Sequence, residues 1–126
     1  MTDQNASTWE QRVEAIEAGY EFMLAYAAQG REKDDPESQI RPFLDGMHTA
    51  LEDLAAVAEQ TVREKGVTGA ESFLELIASD AKKARAAITL VLAQSAVSSQ
   101  LIDNLNASIH VRALLTDLFL IDEVLK

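Results

Sequence analysis

The residues best suited to hold a metal ion lie near the middle of the chain, where Asp45, His48 and Glu52 recur at spacings of three and four. In a helix this spacing places the three side chains on one face. A di-metal site in a helical bundle normally takes one Glu from each of two helices and Glu-x-x-His from each of two others. Here only Asp45-x-x-His48 resembles that motif, because Ala107 stands three residues before His110. The ligand set is incomplete, so we expect neither a metal nor a cofactor.

Arg112 is the polar residue with the most informative position. In one helix over residues 99–125 it would point to the apolar side, where an unpaired charge is costly. Asp80 interrupts the apolar face of the preceding helix in the same way. We therefore predict an ion pair between Asp80 and Arg112 that sets the register of the two helices. The alternative is a small-ligand or metal site near Arg112 and His48, with or without enzymatic activity, because Arg also binds anions through its forked donors.

Four glutamates form an acidic ridge along the first predicted helix. They are Glu10, Glu14, Glu17 and Glu21. Like charges at spacings of three and four repel one another, so the ridge is stabilised only where basic groups face it. Lys82, Lys83 and Arg85 are candidates, either within the chain or from a neighbour. The remaining interpretations are a solvated face and a docking surface for a basic protein partner.

Composition excludes several classes of function. The net charge is −10, which argues against nucleic-acid binding and against docking on an anionic membrane. The chain has no Cys, and it has no Gly-rich phosphate loop, no G-x-S-x-G turn and no evident nucleophile and base pair. Residues 1–7 carry no basic residue and no apolar run, so we expect no secretory signal and a cytoplasmic protein. These features favour a non-catalytic protein.

The stretch from Ala70 to Lys126 contains neither Gly nor Pro. As one helix it would be roughly 85 Å long, which no small domain can cover, so the chain must fold back within it. Serine favours helix ends, and we place the reversal at residues 97–99 with Ser99 as the N-cap of the last helix. The alternative is a reversal at residues 104–106.

The whole pattern predicts an all-α fold, an antiparallel four-helix bundle that forms one domain over residues 1–126, with residues 1–6 disordered. Ser7 and Glu10 have the spacing of a capping box at the start of the first helix. Pro42 suits the first turn of the second helix if that helix starts near Ser38, rather than at Asp35. The predicted helices cover residues 8–29, 39–65, 69–97 and 99–125.

The second half of the last helix is apolar on almost every side. In a monomer it would leave an exposed apolar patch, so we predict a contact with another subunit or protein. The residues expected there are Leu114, Leu118, Phe119, Ile121 and Leu125, and Phe22 and Tyr26 make a second patch outside the main apolar stripe of the first helix. On the last helix, Asp117 is expected to point outward. Together these features predict a protein-binding homo-oligomer, most simply a homodimer, that acts as an adaptor, regulator or assembly factor.

Overall fold

A computed structural model describes the backbone of residues 3–126 and the side chains of residues 9–126. This part of the chain is all-helical, as predicted, but it contains six α-helices rather than four. Two of the predicted helices are each broken into two shorter ones. The helices are α1 (Asp3–Ala27), α2 (Ile40–Leu51), α3 (Leu54–Lys65), α4 (Glu71–Leu92), α5 (Ser99–Ala107) and α6 (Ile109–Leu125), with a 3-10 turn at Pro36–Ser38.

Helix α1 has the predicted apolar face but starts earlier than predicted. It begins at Asp3 rather than at residue 8, because the polar residues before Ser7 include no Gly or Pro that would stop a helix. The disorder predicted for residues 1–6 falls partly on residues 1 and 2, which lie outside the described residues. Trp9, Ile16 and Met23 are buried along one side of the helix.

The break between α2 and α3 is held by two arginines from other helices. Asp53 adopts the left-handed conformation with a φ of 52°, which ends α2. Arg12 of α1 donates to the carbonyl oxygen of Ala50 at 3.1 Å and also to that of Glu52. Arg85 of α4 donates to the Glu52 carboxylate at 3.1 Å. Carbonyls at a helix end need partners from outside the helix, and Arg12 supplies them here.

A second arginine ends α4. Arg41 donates to the carbonyl oxygens of Leu92 and Gln94 at 3.0 and 2.8 Å, and its Nε lies 2.7 Å from the Asp34 carboxylate. The other oxygen of Asp34 accepts a hydrogen bond of 2.8 Å from the backbone N–H of Val97. We call this arrangement the Asp34–Arg41 clamp. It ties the loop before α2 to the loop after α4, so α4 stops at Leu92 instead of the predicted residue 97.

Further hydrogen bonds join the same two loops. The hydroxyl of Tyr26 donates to the carbonyl of Val97 at 2.6 Å. The hydroxyl of Ser99 donates to the carbonyl of Tyr26 at 2.7 Å and accepts from the backbone N–H of Arg31 at 2.8 Å. Ser99 is therefore a buried link between loops rather than the predicted N-cap. The capping residue of α5 is Ser98, whose oxygen accepts from the backbone N–H three residues further on.

Two helical glycines are expected to respond oppositely to alanine. A Cβ on Gly19 would overlap the buried side chain of Met47, whereas a Cβ on Gly46 would meet nothing within 4 Å. Gly19→Ala should lower the free energy of unfolding by about 1 to 3 kcal/mol through overpacking. Gly46→Ala should raise it by about 0.5 to 1 kcal/mol through helix propensity. Urea unfolding of both variants measures this, and equal shifts would contradict the close contact between α1 and α2.

Candidate functional site

The break at Ser108 determines which side of α6 faces outward. Ser108 has a ψ of 132°, and its side chain accepts a hydrogen bond from the N–H of His110, so α6 starts as a new helix with its own phase. Ile109 and Arg112, which a continuous helix would turn inward, are exposed, with Ile109 at 73%. Asp117, predicted to point outward, is only 7% exposed. One backbone break therefore accounts for all three differences from the prediction.

The outward side of α6 carries a row of residues at alternating spacings of three and four. We call it the α6 seam, and it consists of Ile109, Arg112, Thr116, Phe119, Glu123 and Lys126. Phe119 is 60% exposed, and Leu120 and Val124 beside the seam are 56% and 50% exposed. This spacing is typical of a helix that packs lengthwise against another helix. The seam is thus an apolar surface with charged residues near its two ends.

The charges of the seam are largely unused within the chain. Among residues 9–126 the Arg112 side chain forms no ion pair or hydrogen bond, whereas Glu123 lies 3.2 Å from Lys126 with both side chains more than 70% exposed. Such an exposed pair contributes little to stability. Arg112 and Glu123 are roughly 16 Å apart along the helix, one on each side of Thr116 and Phe119.

Most residues predicted for a subunit contact on the last helix instead belong to the core. Four of them are buried within the chain itself: Leu114, Leu118, Ile121 and Leu125. They pack inward because the new phase of α6 turns them toward α4, α5 and α3, the helices that α6 contacts. Phe119 is the member of that set that stays exposed.

The aromatic patch predicted on the first helix is also used internally. Tyr26 is completely buried, and its hydroxyl is bonded within the chain. The ring of Phe22 stacks on the ring of Phe43 from α2, with centroids 4.2 Å apart and planes 9° from parallel. Phe22 and Tyr26 therefore help to attach α1 to its neighbours.

The predicted ion pair between Asp80 and Arg112 is not formed in the described residues. Arg112 is exposed, and Asp80 of α4 instead lies beside Asp117 of α6. One carboxylate oxygen of Asp117 is buried and has no hydrogen-bond partner. Burial, then a hydrogen bond shared with Asp80, then the charge of Asp80 raise the pKa of Asp117 to about 7. The two helices thus meet at a pair of carboxyl groups that can share a proton.

The sequence offered one signal of this carboxyl pair. Asp80 was correctly seen to interrupt the apolar face of its helix, but its neighbour was assigned with the phase of an unbroken last helix. With the break at Ser108 included, the same helical spacing turns Asp117 toward the core and Arg112 away from it.

The residues proposed as metal ligands do not come together. His48 Nε2 lies 2.9 Å from the hydroxyl of Thr89, Glu52 pairs with Arg85, and Asp45 is exposed. Over the described part of the chain, no three side chains of the metal-binding types are grouped so that they could hold an ion. Arg112 lies on the outward side of α6 and His48 lies against α4, so the alternative ligand site has no common cavity to support it.

The acidic ridge is exposed along its whole length. Its suggested basic partners within the chain are used elsewhere or point to solvent, since Arg85 pairs with Glu52 while Lys82 and Lys83 are exposed. Binding of a basic protein along the ridge stays a prediction.

The chain matches no known protein family, no curated protein and no solved structure. Within residues 3–126 no helix combines the length and the apolar character needed to cross a membrane.

Proposed function

We propose that the protein is a non-catalytic interaction module, an adaptor, regulator or assembly factor, that acts as a homo-oligomer joined through the α6 seam. The observation that carries this proposal is the exposed apolar surface around Phe119. Burying exposed apolar side chains against another chain is favourable by about 25 cal/mol per Å² of apolar surface. The surface lies on a regular helix, which supports a lengthwise helix contact.

The exposed apolar residues are concentrated on this helix. The described chain has seven large apolar side chains that are exposed, and four of them are on α6: Ile109, Phe119, Leu120 and Val124. The other three are Leu24 on α1 and Leu76 and Leu90 on α4. Single exposed apolar residues are normal on any protein surface, whereas a cluster on one helix is typical of a contact site.

A second copy of the chain is the partner that suits this surface. The chain as a whole carries a charge of −10, so two copies repel one another over most of their surfaces. The α6 seam differs from the rest, because it contains Arg112 and Lys126 together with a single acidic residue, Glu123. Two seams can therefore approach without the repulsion that acts elsewhere.

A serine in place of Phe119 is expected to weaken self-association by about tenfold or more, since aromatic residues at the centre of an interface often contribute 2 kcal/mol or more. Sedimentation velocity over a wide range of concentrations measures it. The matched control is Leu90→Ser, which removes an apolar side chain that is 65% exposed on α4 and should leave association unchanged.

Both residues are exposed, so neither variant should unfold, and circular dichroism checks this. A wild-type chain that stays monomeric at every concentration would refute self-association. Equal weakening by Phe119→Ser and Leu90→Ser would refute the assignment to α6.

A further inference from the structure

We propose that two copies pair along their α6 seams in an antiparallel, twofold arrangement, in which Arg112 of each copy bonds to Glu123 of the other. This inference rests on the proposed function and specifies its geometry. It follows from where the charged, apolar and small residues lie along the seam.

The seam is complementary to its own reverse. In an antiparallel pair centred between positions 117 and 118, Arg112 lies opposite Glu123 of the second copy, and Thr116 lies opposite Phe119. Each of these matches occurs twice because the twofold axis repeats it. The alternating three and four spacing provides the same type of match as antiparallel coiled coils, in which the two alternating seam positions face one another.

The end of the seam is compatible with the same register. Ile109 lies opposite Lys126 of the second copy, where the long aliphatic part of a lysine side chain can cover an isoleucine while its ammonium group stays in water. The existing contact between Glu123 and Lys126 does not compete, because a carboxylate has acceptor sites for both Lys126 and the incoming guanidinium of Arg112.

A parallel arrangement is disfavoured by the same residues. It would place Arg112 opposite Arg112 and Glu123 opposite Glu123, so that both charged positions face like charges. Charge thus selects the direction of pairing, while Phe119 and its apolar neighbours supply most of the attraction. In the twofold pair the guanidinium of Arg112, which has no ion pair within its own chain, gains two-pronged hydrogen bonds to a carboxylate.

Charge exchange tests the register directly. Arg112→Glu and Glu123→Arg should each weaken self-association by about tenfold or more, since each variant places two like-charge contacts in the dimer. An equimolar mixture of the two variants should associate about as strongly as the wild type, because each copy then meets the opposite charge. The double variant with both changes should also recover. Sedimentation velocity and native mass spectrometry, which separates mixed from unmixed dimers, provide the readout.

Arg63→Glu, an exposed change on α3, is the matched control and should leave association unchanged. If the single exchanges have no effect while Phe119→Ser still weakens association, the antiparallel register is overturned and the proposed function stands. If the single exchanges weaken association and the mixture does not recover, the register is overturned as well. A wild-type chain that is monomeric throughout overturns both proposals.

Discussion

Replacing Arg41 with alanine is expected to lower the free energy of unfolding by about 3 kcal/mol. The Asp34–Arg41 clamp explains the size of this effect. Its loss leaves the carbonyls of Leu92 and Gln94 and the Asp34 carboxylate, whose side chain is only 12% exposed, without their donor. A charged group left without a partner in such a place costs more than the hydrogen bond itself contributes.

Arg41→Lys should be only a partial rescue, because one ammonium group cannot match the planar fork that reaches three acceptors. The matched control is Arg63→Ala. That residue pairs with Glu59 at 2.7 Å on the surface, with side chains 77% and 49% exposed, so its removal should cost no more than about 0.5 kcal/mol. Thermal and urea unfolding of the three variants measure the difference. Losses of similar size for Arg41→Ala and Arg63→Ala would show that the clamp is not structural.

Asparagine at position 117 is expected to remove a marked dependence of stability on pH. In the wild type the pKa of Asp117 rises from 3.8 to about 7 on folding. Between these values the folded chain binds more protons than the unfolded chain. Its free energy of unfolding therefore falls as the pH rises through this range, by about 2 to 4 kcal/mol, and levels off above it. Asp117→Asn keeps the shape of the side chain without the charge, so this decline should disappear and the variant should be more stable than wild type at pH 8.

The control for this experiment is Asp103→Asn, an exposed change on α5 that should leave the pH profile as it is. Urea unfolding at a series of pH values gives the profile, and carboxyl NMR titration of Asp117 gives its pKa directly. Asp80→Asn should lower that pKa, because it removes the neighbouring charge while burial remains. Parallel profiles for wild type and Asp117→Asn would contradict the buried carboxyl pair.

The clamp has the opposite pH dependence. The hydrogen bond from Arg41, and then that from the Val97 N–H, hold the pKa of Asp34 below its usual value against the effect of burial. The stability that this carboxylate contributes is present above about pH 4 and is lost as the pH falls through its lowered pKa. Together with the decline caused by Asp117, this gives greatest stability in weakly acidic solution.

Helical periodicity was sufficient to predict the fold class and the core of the longer helices. Trp9 and Ile16 on α1 and Ile77 and Ile88 on α4 are buried as their spacing indicates. In such helices the apolar residues meet the core through local geometry alone, so the sequence pattern is enough.

The two helix breaks could not be predicted in the same way. The one at Asp53 depends on Arg12 and Arg85, which come from distant parts of the chain. The one at Ser108 lies in a stretch without Gly or Pro, and it changes the phase of all later residues. The error at Arg112 and Asp117 therefore came from one unrecognised boundary and not from a wrong estimate of either residue.

The Asp34–Arg41 clamp also bears on the order in which the chain can fold during synthesis. Its acceptors on Leu92, Gln94 and its donor on Val97 are made long after Arg41 itself. Until residue 97 has left the ribosome, the loop before α2 has no partner, and α4 has no arginine in place at its end. The first two thirds of a nascent chain must therefore wait for the last third, so folding is expected to be completed late and as one unit.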